Sequence, residues 1–142
     1  MLFFVYWHLI IMKNIQLSGL ALVLLGSFLP LVHVPLIGNW NYWKVDHSLS
    51  IICWLLCFIV FIGIMVNKKS LVRISSIILI LLFCFTIFAV RYQSQDFFSF
   101  LPFDSWVEKM GGLVKLKWGW VLEFLGASLL FLGSYSRKLN KN

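Results

Sequence analysis

Charge is what this sequence has least of. Only 12% of its 142 residues are Asp, Glu, Lys or Arg, about half the ~25% of an ordinary soluble domain. That scarcity excludes a soluble globular domain. Acidic residues are scarcer still, five against twelve basic, and no paired-carboxylate geometry for acid–base work can be argued from them. The three cysteines, Cys53, Cys57 and Cys84, all lie in apolar runs. Cys53 and Cys57 are spaced C-x-x-x-C, which puts them on one helix face and matches neither a redox pair nor a zinc knuckle. They read as small core residues. The three histidines are scattered. No nucleophile elbow, Walker loop, dinucleotide fingerprint or zinc-protease helix occurs. No catalytic residue, cofactor or metal site is therefore expected. The net charge of +7 does not point to nucleic acid, because no basic stripe with interleaved aromatics falls in a soluble segment.

What the chain does have is apolar length. Hydrophobic residues make up 61% of it and its mean hydropathy is +0.94. Four uncharged or nearly uncharged runs stand out, over about 15–37, 49–66, 71–90 and 118–135, each long enough for an ~30 Å hydrocarbon core at about 1.5 Å per residue. A backbone in lipid must satisfy its own hydrogen bonds, and these runs are continuous rather than alternating, so they are expected to be helices and not barrel strands. The fold expected is all-α: one polytopic membrane domain over residues 1–142, an antiparallel bundle of four transmembrane helices with outer loops at 38–48 and 91–117.

Direction follows from the basic residues. Lys13, the Lys68–Lys69–Arg73 connection and the Arg137–Lys138–Lys141 tail contain no acidic residue. The other two connections set Lys44, Arg91, Lys109, Lys115 and Lys117 against Asp46, Asp96, Asp104 and Glu108. Both termini are expected in the cytoplasm. Trp40, Trp43, Trp106, Trp118 and Trp120 all gather at the opposite side, where amphipathic rings anchor at the headgroups. Only Trp7 and Trp54 lie elsewhere. Residues 1–11, "MLFFVYWHLII", are apolar but too short to span. They read either as an interfacial segment or as sequence upstream of a start at Met12. The Met12 start is preferred, and intact mass decides it.

Gly112, Gly119, Gly126 and Gly133 recur every seven residues, as do Gly19 and Gly26 in the first run. Seven residues drift by only about 20° around a helix, so each series forms a stripe. Small residues allow the close backbone approach that drives association in lipid. Gly19 and Gly26 are thus expected to pack against Gly119, Gly126 and Gly133. His33 and Glu123 are the only ionisable side chains well inside the runs, and Glu123 shares the glycine face. A lipid-facing carboxylate costs about 2.5–3.5 kcal/mol on insertion scales, so the two are expected as an intramembrane polar pair, within hydrogen-bonding or one-water distance. Pro30 and Pro35 should bend or loosen the outer third of that helix.

In the first outer loop, Asn39 and Asn41 supply turn chemistry, and Asp46 and Ser48 are candidate helix caps. In the second, Ser105-Trp106-Val107-Glu108 is a capping box, predicting a short extracytoplasmic interfacial helix. The preceding "FFSFLPF" is aromatic enough to lie in the interface or dock a partner.

"GSFLPLVHVPLIGNWNYW" near the start and "KWGWVLEFLGASLLFLGS" near the end together resemble a loose group of small bacterial four-helix membrane proteins. Members pair a first span ending G-x-F-L-P…P…G with a last span beginning G-W. The middle of the chain is not covered, and "NYWKVDHS" stands where relatives often have a glycine- and aspartate-rich stretch. The resemblance implies the bacterial cytoplasmic (inner) membrane and no assigned activity.

The leading expectation is a non-catalytic accessory or assembly subunit that binds lipid and a larger membrane protein or further copies of itself. Two alternatives stand beside it. One is an oligomeric transporter or membrane enzyme with a polar cleft at His33 and Glu123. The other is an immunity protein against a membrane-active toxin.

Overall fold

Pro30 decides how the first long helix ends. The structure, a computed structural model, describes residues 1–34, 38–97 and 115–135. Helix α1 runs Leu2–Phe28. Leu29, just ahead of the proline, is extended at φ −80° and ψ 161°, the conformation that the proline ring favours in its predecessor. The chain then turns back as a ribbon, β1 (Val32–Val34) antiparallel to β2 (Gly38–Trp40), with Val32 opposite Trp40 and His33 opposite Asn39. A two-residue β3 (Lys115–Leu116) pairs antiparallel with the free edge of β1, giving the order β2-β1-β3.

This corrects the first expected span. The helix covers 2–28, not 15–37, and Pro30 stops it rather than bending it. Residues 1–11 are not a separate segment but the opening turns of α1. Pro35 lies outside the described residues. So do residues 98–114, which contain the Ser105 capping box and most of the aromatic stretch before it.

A short helix α2 (Tyr42–Val45) follows, capped by Asn41, whose side chain accepts from the Lys44 N–H. Asp46 caps α3 (His47–Met65) in the same way through the Leu49 N–H, at 3.0 Å. Each cap satisfies one of the orphan donors at a helix start. The end of α3 is a Schellman turn. Asn67 sits in the left-handed region at φ 56°, its N–H bonds to Ile64 O, and the Lys68 N–H reaches back to Gly63 O at 2.9 Å. Helix α4 (Lys69–Phe97) starts at once and runs past the expected boundary at residue 90. Helix α5 is Gly119–Ser134.

Three helices, Leu2–Phe28, His47–Met65 and Lys69–Tyr92, are long and apolar enough to cross a membrane, and α5 is a shorter apolar helix. They stand in a square: α1 beside α3 and α5, α4 beside α3 and α5. Val23, Val60, Leu79, Phe83, Ala127 and Leu130 fill the centre with no exposure, while Leu55, Phe58, Leu81, Phe88 and Leu132 point outward and are more than half exposed. An apolar exterior around an apolar core fits lipid as the surrounding medium and marks the chain as a membrane protein. One end carries the small sheet and α2, the sheet end. The other carries the Asn67 turn, the turn end.

Candidate functional site

Among the described glycines, the closest backbone approaches lie in the antiparallel seam of α1 and α5. A Cβ added to Gly19 would lie 2.7 Å from Gly126 O, and one on Gly126 would lie 2.6 Å from Gly19 O. Towards the sheet end, a Cβ on Gly119 would meet Leu31 Cδ2 at 2.8 Å and Pro30 O at 2.9 Å. Towards the turn end, Gln16 Nε2 donates to Gly133 O at 2.8 Å, and Gly133 has no room for a Cβ beside Gln16 Cγ. Bare backbones in contact maximise dispersion where lipid offers no hydrophobic contrast.

Glu123 stands in that seam. It is fully buried, its Cγ fills the space that Gly26 leaves, and neither carboxyl oxygen has a hydrogen-bond partner among the described residues. Cys57 and Tyr42 lie within electrostatic range of it. Three residues earlier, Trp120 is also buried, with its Nε1 unpartnered.

His33 is not beside Glu123 in a hydrogen bond. It sits on β1, half-buried, with Nδ1 2.9 Å from Oδ1 of Asn39, the residue opposite it in the ladder. Because the helix stops before Pro30, His33 takes its direction from a strand and not from the glycine face of a helix. The direct pairing expected from equal depth is not formed.

The tryptophans divide. Trp43 and Trp118 are exposed and Trp40 is half-buried, all at the sheet end. Trp120 instead turns inward and meets Tyr42 and Phe83 edge to face, at 6.1 and 6.4 Å between ring centroids. It is a core residue rather than an interface anchor. Trp54, set apart by the sequence reading, belongs with the group: it stacks on Trp43 at 5.5 Å and on Phe28 at 5.6 Å, and its Nε1 donates to Ser27 Oγ at 3.2 Å. Trp106 lies outside the described residues.

Two polar devices had no signal in the sequence. Thr86 Oγ1 donates to Leu82 O, so the 2.8 Å contact between it and the Tyr42 hydroxyl is a bond donated by the tyrosine. Burial pushes the Tyr42 phenol above its ordinary value. At the turn end Arg73 donates to Ser134 O at 3.0 Å and lies 5.1 Å from the centre of the Tyr135 ring. It thus puts a cation on the orphan carbonyls at the end of α5.

Among the described residues no group of three or more His, Cys, Asp and Glu could hold a metal ion, and all three cysteines are free. The potentially reactive groups of the core, Glu123, Cys53 and Tyr42, have no exposed surface. The arrangement is that of a small helical membrane protein with a closed, tightly sealed centre. Comparison with protein-family models, curated proteins and solved structures finds no match to this chain.

Proposed function

We propose that this chain is a non-catalytic accessory or assembly subunit, a four-span antiparallel bundle in a bacterial inner membrane that packs against a larger membrane protein. In this reading the basic turn end and both termini face the cytoplasm, and the sheet end faces outward. The observation that carries it is the arm of α1. Every residue from Met1 to Ile11 is exposed. Towards the turn end α5 reaches α1 at Met12, whose carbonyl a Gly133 Cβ would approach to 3.4 Å. The preceding eleven residues extend about 16 Å further at 1.5 Å per residue. A helix apolar on every side is stable only when buried, and this one lacks the charged face that would let it lie on a membrane surface. Lipid covers such a helix where it spans, and in this reading a partner membrane protein covers the part that projects beyond the seam. The closed core supports the same reading, since a subunit that acts by docking needs no substrate path.

Affinity purification of the chain from its native membrane in mild detergent, with and without residues 2–11, tests it. A stoichiometric partner that is lost with the arm is expected. Repeated recovery of a lone monomer would overturn the reading. The unpartnered carboxyl of Glu123 supports a second reading, an oligomeric transporter or membrane enzyme. There, Glu123→Gln abolishes an activity while the amount of folded protein stays the same.

A further inference from the structure

At the turn end α1 and the Asn67 turn leave a cleft between them. Its polar lining is Lys13, Gln16, Asn67 and Lys69, and Leu9 and Met12 line its apolar side. Both lysines are half-buried, and they come from different helices. The cleft has about 20 Å³ of room for a water-sized group, enough for one oxygen atom, which needs roughly 10–15 Å³. It is too small for a whole metabolite.

Among the described residues the two lysines have no acidic partner to explain their convergence. The chain has five acidic residues. Asp46 caps α3 at the sheet end, and Glu123 is sealed in the core. Two lysines lining one half-closed cleft, with no acidic partner among the described residues, favour a bound anion. The cleft is also two-sided in chemistry, with lysine and amide groups against apolar side chains, at the level where long apolar helices give way to a basic turn. A phosphate oxygen seated between the lysines would leave acyl chains to run past Met12 towards the sheet end.

We propose that this cleft binds the phosphate of an anionic phospholipid. The proposal rests on the reading that the bundle spans a bilayer. Basic pockets between spans take headgroups in this way. A free phosphate has the same anionic chemistry but no use for the apolar wall.

Native mass spectrometry of the full-length protein, taken from phosphatidylcholine bilayers with and without phosphatidylglycerol, tests it. One retained phosphatidylglycerol per chain is expected, preferred over phosphatidylcholine by roughly 30-fold, since each lysine contributes about 1 kcal/mol and 1.4 kcal/mol is tenfold. The K13Q/K69Q variant should lose that preference and the K13R/K69R variant should keep it. K138Q/K141Q removes the same charge from the tail and should also keep it. Equal retention of the two lipids would overturn the proposal. So would an equal loss in the tail variant, which would assign the preference to net charge. Displacement of the lipid by inorganic phosphate at matching concentration would reassign the cleft to the free ion. Resistance of the protein to alkaline carbonate extraction tests the spanning reading separately, so the two can fail independently.

Discussion

Gly126→Ala and Gly63→Ala make a controlled pair. Both add one methyl group to a buried helical glycine, and both gain about 1 kcal/mol of intrinsic helix preference. They differ in what the methyl meets. At Gly126 it would lie 2.6 Å from Gly19 O, 2.7 Å from Val23 Cγ2 and 2.8 Å from Val23 N. Two of these are backbone atoms of α1, so relief requires the helices to part. At Gly63 the nearest atoms are Val72 Cγ2 at 3.0 Å and Leu71 Cδ2 at 3.3 Å, both tips of side chains that can turn. Overpacking costs about 1–3 kcal/mol. Separation of α1 from α5 also forfeits close backbone contacts of about 0.5–1 kcal/mol each. Gly126→Ala is therefore expected to lose about 1–3 kcal/mol net, and Gly63→Ala to fall within about 1 kcal/mol of the parent once helix preference is included. Unfolding of the purified protein in mixed micelles by increasing SDS reads both differences. If the two variants proved equally stable, or Gly63→Ala the weaker, the seam would not be the closest contact in the bundle.

Four further outcomes follow from the same contacts. Glu123→Met replaces an unpartnered buried carboxyl with an apolar chain of similar length, and should stabilise the bundle by about 1–3 kcal/mol in the same assay; a loss would show that the carboxyl has a partner. Tyr42→Phe removes the bond donated to Thr86 and should cost about 1 kcal/mol, whereas Thr86→Val, which strands the buried tyrosine hydroxyl, should cost more. Gln16→Leu leaves the Gly133 carbonyl without its donor and should cost about 1–2 kcal/mol, with proteolysis near the C-terminal end of α5 increasing first. Trp54→Leu should change the accessibility of Trp43 to an aqueous fluorescence quencher, because it removes the ring that Trp43 stacks upon; an unchanged response would refute the stacking.

What the sequence made legible was periodic or local. Gly19, Gly26, Gly119, Gly126 and Gly133 announce a seam through a seven-residue spacing that any helix turns into a stripe, and in the structure those glycines are where α1 and α5 meet. Asp46 was legible as a cap because capping is decided within three residues. The sheet was not legible. Val32-His33-Val34 lies in an apolar run between two prolines, and three residues are too few to show a period of two against a hydropathy average. The available signal was Pro30 itself, which disfavours helix at Leu29. Taking the helix through it placed His33 on the glycine face and paired it with Glu123 by depth alone. Tyr42 and Thr86 are 44 residues apart, and no local pattern connects them. Trp120 looked like an anchor because it neighbours Trp118, but two positions on a helix are about 200° apart, so only one of the pair can face outward.

The narrowness of the seam and the enclosure of Glu123 have one cause. Gly26 gives the carboxyl-bearing chain its space, with Glu123 Cγ 2.6 Å from where a Cβ would stand. The same absence of side chains draws the backbones together above and below it. Nothing can reach the carboxyl from the α1 side unless α1 and α5 part. Parting them breaks the Gly19–Gly126 contact and the Gln16 bond to Gly133 together, because all three lie along one line. Chemistry at Glu123 by that route would therefore require opening this close-packed boundary at every turnover. The exposed apolar arm of α1 lies beyond the seam, where contact would leave that boundary undisturbed.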